Sequence, residues 1–454
     1  MAAMPESVSA SGGGARLVRE TYALLADDGE GRICRDIPES ACQDQPGNFM
    51  RHVLSLGATK SADGLADAKL ILAWLFGALG VPAWLTGLLV PVREAGALLP
   101  QLGIAAAIRA LPVRKWVWAA GSIVQGLAVI GIALAALTLE GAAAGGVIIA
   151  LLVIASLARG ACSVSYKDVL GKTVSKSTRG TATGTAGSVA SVVVLGFGLA
   201  LALGLFPRTT ATVAAVLLLA GGLWIAAGAL FATLTESPGA TEGGGNALAL
   251  FRRQIGLIGE DAQLRRFILA RALLVSTALS PPFLLAVAGE TGKGALDQLG
   301  GFIVASSLAA LLSAYVWGRM SDRSSRRVLI LAGLVAALAL GATTALALVA
   351  PTLLQGVMVP GVLLFLLMVA HQGVRLGRST HVVDMAEAGQ RASYTAVSNT
   401  VIGMVLVLGG GFGVLAQMAG EVTVLAVFAL MALAGALAAG GLDEVQEEAG
   451  ETRT

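Results

Sequence analysis

Apolar runs of about twenty residues, separated by short polar breaks, recur along most of the chain. Runs of this length match the thickness of a bilayer core when they are helical. They predict twelve helices, at 54–78, 84–108, 114–138, 145–168, 181–206, 210–233, 267–289, 296–318, 328–350, 354–376, 393–418 and 421–441. The longest break, 234–263, opens with Ser237-Pro238-Gly239 and Gly243-Gly244-Gly245 and continues into an expected surface helix around Phe251-Arg252-Arg253-Gln254-Ile255. It divides six helices from six. The expected organisation is a polar tail (1–50), a six-helix half (51–233), a central loop (234–266), a second six-helix half (267–441) and a short tail (442–454). The fold class is all-α and polytopic.

Composition supports this pattern. The chain is 56% hydrophobic and 13% charged, about half the charge of a soluble domain. Only helices and closed barrels satisfy the backbone in lipid, and each of these runs can span a bilayer as a helix. The 59 glycines suit close helix contacts in a bilayer. The first 50 residues lack a continuous apolar core, so no secretory signal is expected.

The distribution of basic residues sets an orientation. They gather in the N-terminal tail (Arg16, Arg19, Arg32, Arg35, Arg51) and at alternate turns: Arg109, Arg114 and Lys115; Lys172, Lys176 and Arg179; Arg252, Arg253, Arg265 and Arg266; Arg319, Arg323, Arg326 and Arg327; Arg375, Arg378 and Arg391. The turns between these hold only Arg208 and Lys293. By the positive-inside rule the first set is cytoplasmic. Both termini then lie inside, in agreement with an even helix count, and the expected location is a cell inner membrane.

An internal repeat runs through the same frame. Arg326-Arg327 follows Arg114-Lys115 by 212 positions, Arg391 follows Arg179 by 212, and Gly300 follows Gly87 by 213. The repeat also bears on the first helix. Hydropathy alone would start it near Leu65, leaving Lys60 and Asp63 as interfacial charges. Projection from the seventh helix starts it near Val53 and places Lys60, Asp63, Asp67 and Lys69 in the bilayer.

The stretch Gly318-Arg319-Met320-Ser321-Asp322-Arg323-Ser324-Ser325-Arg326-Arg327 lies between two apolar runs. It resembles the inner-loop signature of major facilitator transporters, with Ser325 where that family prefers Gly. Its N-terminal counterpart, Ala106 to Lys115, keeps only the basic pair. The resemblance implies two pseudo-symmetric six-helix halves that rock about a midplane site. It also implies that Gly318, Asp322, Arg323, Arg326 and Arg327 control the inward–outward balance. Two marks of the family's drug antiporters are missing. The fifth helix has glycines but no proline, and Arg159 is followed directly by Gly160.

Ionisable groups at membrane depth are functional candidates by default. Lys60, Asp63 and Asp67 share one helix face by spacing. Asp63 lies about nine residues, or roughly 14 Å, from the inner helix end. Arg93 and Glu94 lie on the second helix between Pro91 and Pro100; adjacent in sequence, they point in different directions, and either could pair with Asp63 or Lys60 on the first helix, to pack or gate, or could contact solute. Arg159 and His371 are 212 positions apart and so equivalent in the two halves, and Arg375 follows His371 by one helical turn. A lone histidine in an apolar helix also has a plain packing role. Ser276 and Ser280 precede Pro281-Pro282, where a broken helix is expected. By resemblance, helices 1, 4, 7 and 10 line the central cavity, which makes Lys60, Asp63, Arg159, Ser280, His371 and Arg375 candidate solute contacts. Asp63 and Glu94 are the candidate proton carriers. Cations in a low dielectric favour an anionic or zwitterionic solute.

Cys34, Cys42 and His52 are too few and too far apart for a metal site, and Cys162 lies in an apolar helix. Lys167 to Thr173 lacks the glycines and strand of a phosphate-binding loop. No catalytic constellation, cofactor, metal or nucleic-acid partner is expected. The expected partners are a small-molecule solute and the lipid bilayer, and the chain is expected to be a monomer. The reading is a permease rather than an enzyme. The alternatives are a non-transporting membrane scaffold or sensor, and a lipid flippase, on the same fold.

Overall fold

The computed structural model describes residues 39–99, 101–207, 209–239, 256–290, 295–386 and 390–446, together with 18, 20–22, 24 and 241. Most of the N-terminal tail, the expected surface helix at 251–255, Arg208, Lys293 and the last eight residues lie outside them. Among the described residues the regular structure is helical, with no strand.

The first predicted helix is two pieces, α1 (Glu39–Leu65) and α2 (Ile71–Ala78). Asp67 makes the break: its Oδ1 accepts the backbone N–H groups of Lys69 and Leu70, each at 3.0 Å. That bonding satisfies donors at the start of α2 as an N-cap does. The second predicted helix is also divided, into α3 (Ala83–Thr86), α4 (Leu89–Leu98) and α5 (Gln101–Arg109). The other N-terminal helices are continuous: α6 (Lys115–Thr138), α7 (Gly141–Thr173), α8 (Lys176–Ala202) and α9 (Thr210–Ala232).

The seventh predicted helix is α10 (Ala262–Leu274), α11 (Ser276–Leu279) and α12 (Pro281–Glu290), interrupted where Pro281-Pro282 predicts. Then follow α13 (Ala295–Ser321), α14 (Ser325–Val349), α15 (Met358–Asp384), α16 (Arg391–Gly409), α17 (Gly411–Ala419) and α18 (Glu421–Gly440). Ten of the twelve predicted segments are long and apolar enough to cross a membrane. The first two fall short because they are broken and carry charge. Leu134, Leu338 and Leu437 are exposed, as suits contact with lipid tails.

Two expectations change. Residues 39–50, expected as tail, belong to α1. Gln45 and Asn48 are buried against the basic end of the neighbouring helices: Asn48 exchanges two hydrogen bonds with the Thr235 backbone (2.9 and 3.0 Å) and Gln45 reaches Ser175, as His52 in the next turn reaches Thr173 at 2.8 Å. Because α1 runs unbroken through Lys60 and Asp63, a helix start at Leu65 is excluded and the repeat-based boundary is the better one. The tenth predicted helix extends eight residues past 376, so Arg378 sits within α15 rather than in a turn.

The halves meet through their glycines. A Cβ on Gly87 would lie 2.3 Å from the Gly413 Cα, and one on Gly300 would lie 2.4 Å from the Ala202 backbone nitrogen. The repeat pair Gly87 and Gly300 thus seals two symmetric seams, α3 against α17 and α13 against α8. Both lie at the end opposite the basic turns. Toward the basic end α8 and α13 leave open space, since a Cβ on Gly184 or Gly318 would meet nothing within 4 Å, whereas one on Gly403 of α16 would still lie 2.8 Å from Leu99.

Candidate functional site: a charged cavity between the halves

Between the halves lies a cavity of about 800 Å³. The break after α1 and the charged turn of α4 supply most of its polar wall. Lys60, Asp63, Asp67, Lys69, Arg93, Glu94 and Arg159 line it from the N-terminal half, and Ser307, Gln372 and Arg375 from the C-terminal half. Its ionisable groups are five basic side chains and three carboxyl groups.

Asp63 is the centre of the N-terminal wall. Its Oδ1 accepts from Arg159 of α7 at 2.6 Å and from Arg93 of α4. One carboxylate therefore ties α1 to the second and fourth predicted helices. Arg159 is still 41% exposed at its side chain and the acid 30%, so this ion pair faces water-accessible space. Lys60 donates to the Thr183 carbonyl of α8 at 3.0 Å.

Lys69 reaches across the halves. Its ammonium lies 3.0 Å from His371 Nε2 on α15 and 3.9 Å from Glu94 on α4. A charged lysine can only donate, so Nε2 must accept and His371 must carry its proton on Nδ1. That nitrogen lies 3.2 Å from Thr277 Oγ1, whose own proton goes to the Leu274 carbonyl at 2.9 Å. With Lys69 charged, the string runs from Lys69 to His371, from His371 to Thr277 and from Thr277 to the Leu274 carbonyl, and only Lys69 comes from the N-terminal half.

The sequence-derived candidates thus fall into three groups. Lys60, Asp63, Glu94, Arg93, Arg159 and Arg375 come together around the cavity. His371 and Ser280 are not among the lining residues: His371 bridges to Lys69, and Ser280 is fully buried with its hydroxyl unpartnered. The motif residues are remote from both, at the turn between α13 and α14. There Arg326 donates to the Gly440 carbonyl at 3.0 Å, and Asp322 and Arg323 are exposed. Asp322 has no side-chain hydrogen bond or ion pair among the described residues.

Sequence reasoning missed Lys69 as the bridge, Gln372 as a lining residue and Arg271 altogether. Arg271 lies inside an apolar run, which was signal enough to find it. It also missed the basic-end supports. Glu236, with a fully buried side chain, accepts the backbone N–H groups of Arg114 and Lys115 (3.0 and 2.7 Å) and the Lys172 ammonium (3.1 Å). Asp168 pairs with Arg114 at 2.5 Å and Lys172 at 2.8 Å. In the second half Glu444 accepts from Ser324 Oγ at 2.5 Å. Just outside the helix array, Asp261 caps α10 through Gln263 and Leu264 and accepts from the Tyr394 hydroxyl at 2.7 Å. Partial burial opposes its charge, but these hydrogen bonds and Arg265 prevail, and its carboxyl is held below the ordinary aspartate value.

No family model matches the chain, and no curated protein does. Solved structures do match. A POT family transporter in complex with a thioalcohol-conjugated peptide aligns with TM-score 0.65 at 11% identity, over 89% of this chain and 97% of that one. The inward-open xylose transporter XylE from E. coli aligns at 0.63 and 12%, over 89% and 99%. The nucleoside transporter NupG aligns at 0.61 and 14%, over 86% and 98%. The chain has the fold of the major facilitator transporters.

Proposed function

We propose that this protein is a membrane permease that moves a small anionic or zwitterionic solute by alternating access. The observation that carries this reading is the charged cavity between two halves that touch at one end and leave open space between α8 and α13 at the other. A site at the interface of two repeats, reached from one side at a time, is what rocking of the halves requires. The structural neighbours named for nucleosides, peptides and xylose share the fold at low identity, and fold alone does not fix a substrate. The cationic excess of the lining favours negative charge on the solute.

With the basic turns cytoplasmic, both termini lie inside, the first two broken segments complete twelve crossings, and the conformation described is open inward. The protein works as a monomer in an inner membrane. Asp63 already accepts from two guanidinium groups, whereas Glu94 faces one ammonium at 3.9 Å. Glu94 is therefore the better-placed candidate for coupling to protons. Asp322, exposed in this conformation, acts when the basic ends close. Asp322→Asn should lower flux in proteoliposomes while shifting stability by no more than about 0.5 kcal/mol, as for exposed sites generally.

Spin labels at the basic ends of α8 and α13, in the full chain in proteoliposomes, test the mechanism. Two distance populations whose balance changes on addition of a solute are expected. A single fixed distance under all solutes would sink the permease reading and leave a scaffold.

A further inference from the structure

The membrane-spanning helices of the C-terminal half carry almost no acid. Between residues 298 and 383, and between 391 and 420, the sequence has one Asp and no Glu, and that Asp is the motif residue Asp322 at the basic turn. Segment 262–289 has neither. Three arginines nevertheless lie inside these helices. Arg375 lines the cavity. Arg378 is three residues further along α15, on the same side. Neither makes a hydrogen bond or ion pair among the described residues. Arg271 of α10 is only 6% exposed. Its Nη1 donates to Ser398 Oγ at 2.6 Å and its Nη2 to Asn399 Oδ1 at 2.9 Å, while its Nε is buried with no acceptor. A buried guanidinium held only by neutral groups is costly, and it persists here without a carboxylate in reach among the described residues.

We propose that Arg271, Arg375 and Arg378 form an anion subsite on the C-terminal half, which takes the carboxylate or phosphate group of the transported solute. The proposal rests on the permease reading and narrows it from anion or zwitterion to anion. Arg375 meets the solute from the cavity wall. Arg378 and Arg271 do not line the cavity but add charge close to it: Arg378 repels both Arg375 and Arg271, and Arg271 is held by Ser398 and Asn399 of α16. Planar guanidinium groups suit both oxyanions. On the opposite wall only Glu94, 3.9 Å from Lys69, is left lightly engaged. Asp63 is engaged by Arg93 and Arg159, the Oδ1 of Asp67 by two backbone amides, and Glu94 stands beside Lys69.

The test is thermal unfolding of the detergent-purified full chain, titrated at constant ionic strength with inorganic phosphate, citrate, glycine and glucose. The wild type and the variants Arg375→Gln and Arg271→Gln are compared. A saturable rise in melting temperature is expected with phosphate or citrate, and none with glycine or glucose. A response to phosphate alone assigns a phosphate group, and one to citrate alone a carboxylate. Both variants should need at least tenfold more anion for half the effect. Ligand-free Arg271→Gln should melt no lower than wild type, because it removes an unpaired buried charge. An arginine kept only for packing would behave oppositely, lowering the melting temperature and leaving the anion response intact. That result, or no anion response in the wild type, or a glycine response equal to that of the anions, overturns the subsite. None of these touches the label-distance test, which needs no anion. Conversely, a fixed distance with an intact anion response defeats the permease reading and leaves the subsite standing.

Discussion

The N-terminal and C-terminal halves repeat one backbone plan with different chemistry. In the first, Arg93 and Arg159 share Asp63, Lys69 stands beside Glu94, and Lys60 rests on a carbonyl. In the second, Arg271 has only Ser398 and Asn399, and Arg375 opens onto the cavity. The seams are symmetric, with Gly87 and Gly300 in equivalent contacts, but the charge is not. In the permease proposed above, matched surfaces serve where the halves meet and an unmatched one where a solute binds. The first half's charges are matched within the protein, and the second half's arginines meet no carboxylate in an ion pair among the described residues.

The sharpest way to break this comparison is at the seams. Gly87→Val places branched carbon where a Cβ alone would already lie 2.3 Å from the Gly413 backbone. It should keep the opposite end from closing and reduce flux more than tenfold. Cysteine labelling at that end should rise in the variant, and Gly300→Val should do the same if the halves are equivalent there.

Asp63→Asn comes next. It leaves Arg93 and Arg159 facing each other. Breaking a fully buried pair costs roughly 3–5 kcal/mol. The partial exposure here reduces the expected loss to on the order of 2 kcal/mol, read by thermal or denaturant unfolding. Arg375→Gln should cost almost nothing in the same assay. Equal losses would show that the two walls are not different in kind.

The basic-end supports give a smaller contrast. Glu236 closes three hydrogen bonds, and Glu444 one, with its Oε1 buried and unpartnered. Glu236→Gln should cost about 1–3 kcal/mol and Glu444→Gln about 1 kcal/mol or less.

The smallest effect is one of pH. Asp261 titrates below its ordinary value in the folded chain. A depressed folded value means that the stabilisation is complete above the unfolded pKa, near 4, and is lost as pH falls through the folded one. Tyr394→Phe should therefore lower stability slightly at pH 7 to 8, and its difference from wild type should shrink as pH falls through the folded value of Asp261.

Much of the fold was legible because a bilayer imposes a length on every crossing helix. The apolar runs located ten long helices, and Pro281-Pro282 located the break in the seventh segment. The first segment was legible only through the repeat, because a sliding average cannot tell a charged membrane helix from a polar tail. Of the cavity, Arg93 and Glu94 could be named from depth, Lys60 and Asp63 once the repeat set the first helix, and Arg159 and Arg375 from the repeat and the resemblance. Asp63 was one possible partner of Arg93; that it also takes Arg159, and that Lys69 bridges the halves, was not legible. Asp67 looked like a third member of one face and proves to be a cap, since its side chain bonds the two amides that follow it. Arg378 was read as a turn charge because an average falls off before α15 ends.

The sequence by itself determined a helical membrane protein of two repeats, its basic and opposite ends, and the ionisable residues at depth. Those are properties of length, period and position, which each segment carries locally. Only the tertiary structure decided which charges meet. Asp63, Arg93 and Arg159 lie on three predicted helices, and Lys69 and His371 are 302 positions apart. Whether a buried charge is matched or left open depends on the angle at which helices cross and on where they break. Both are set by packing across the whole array.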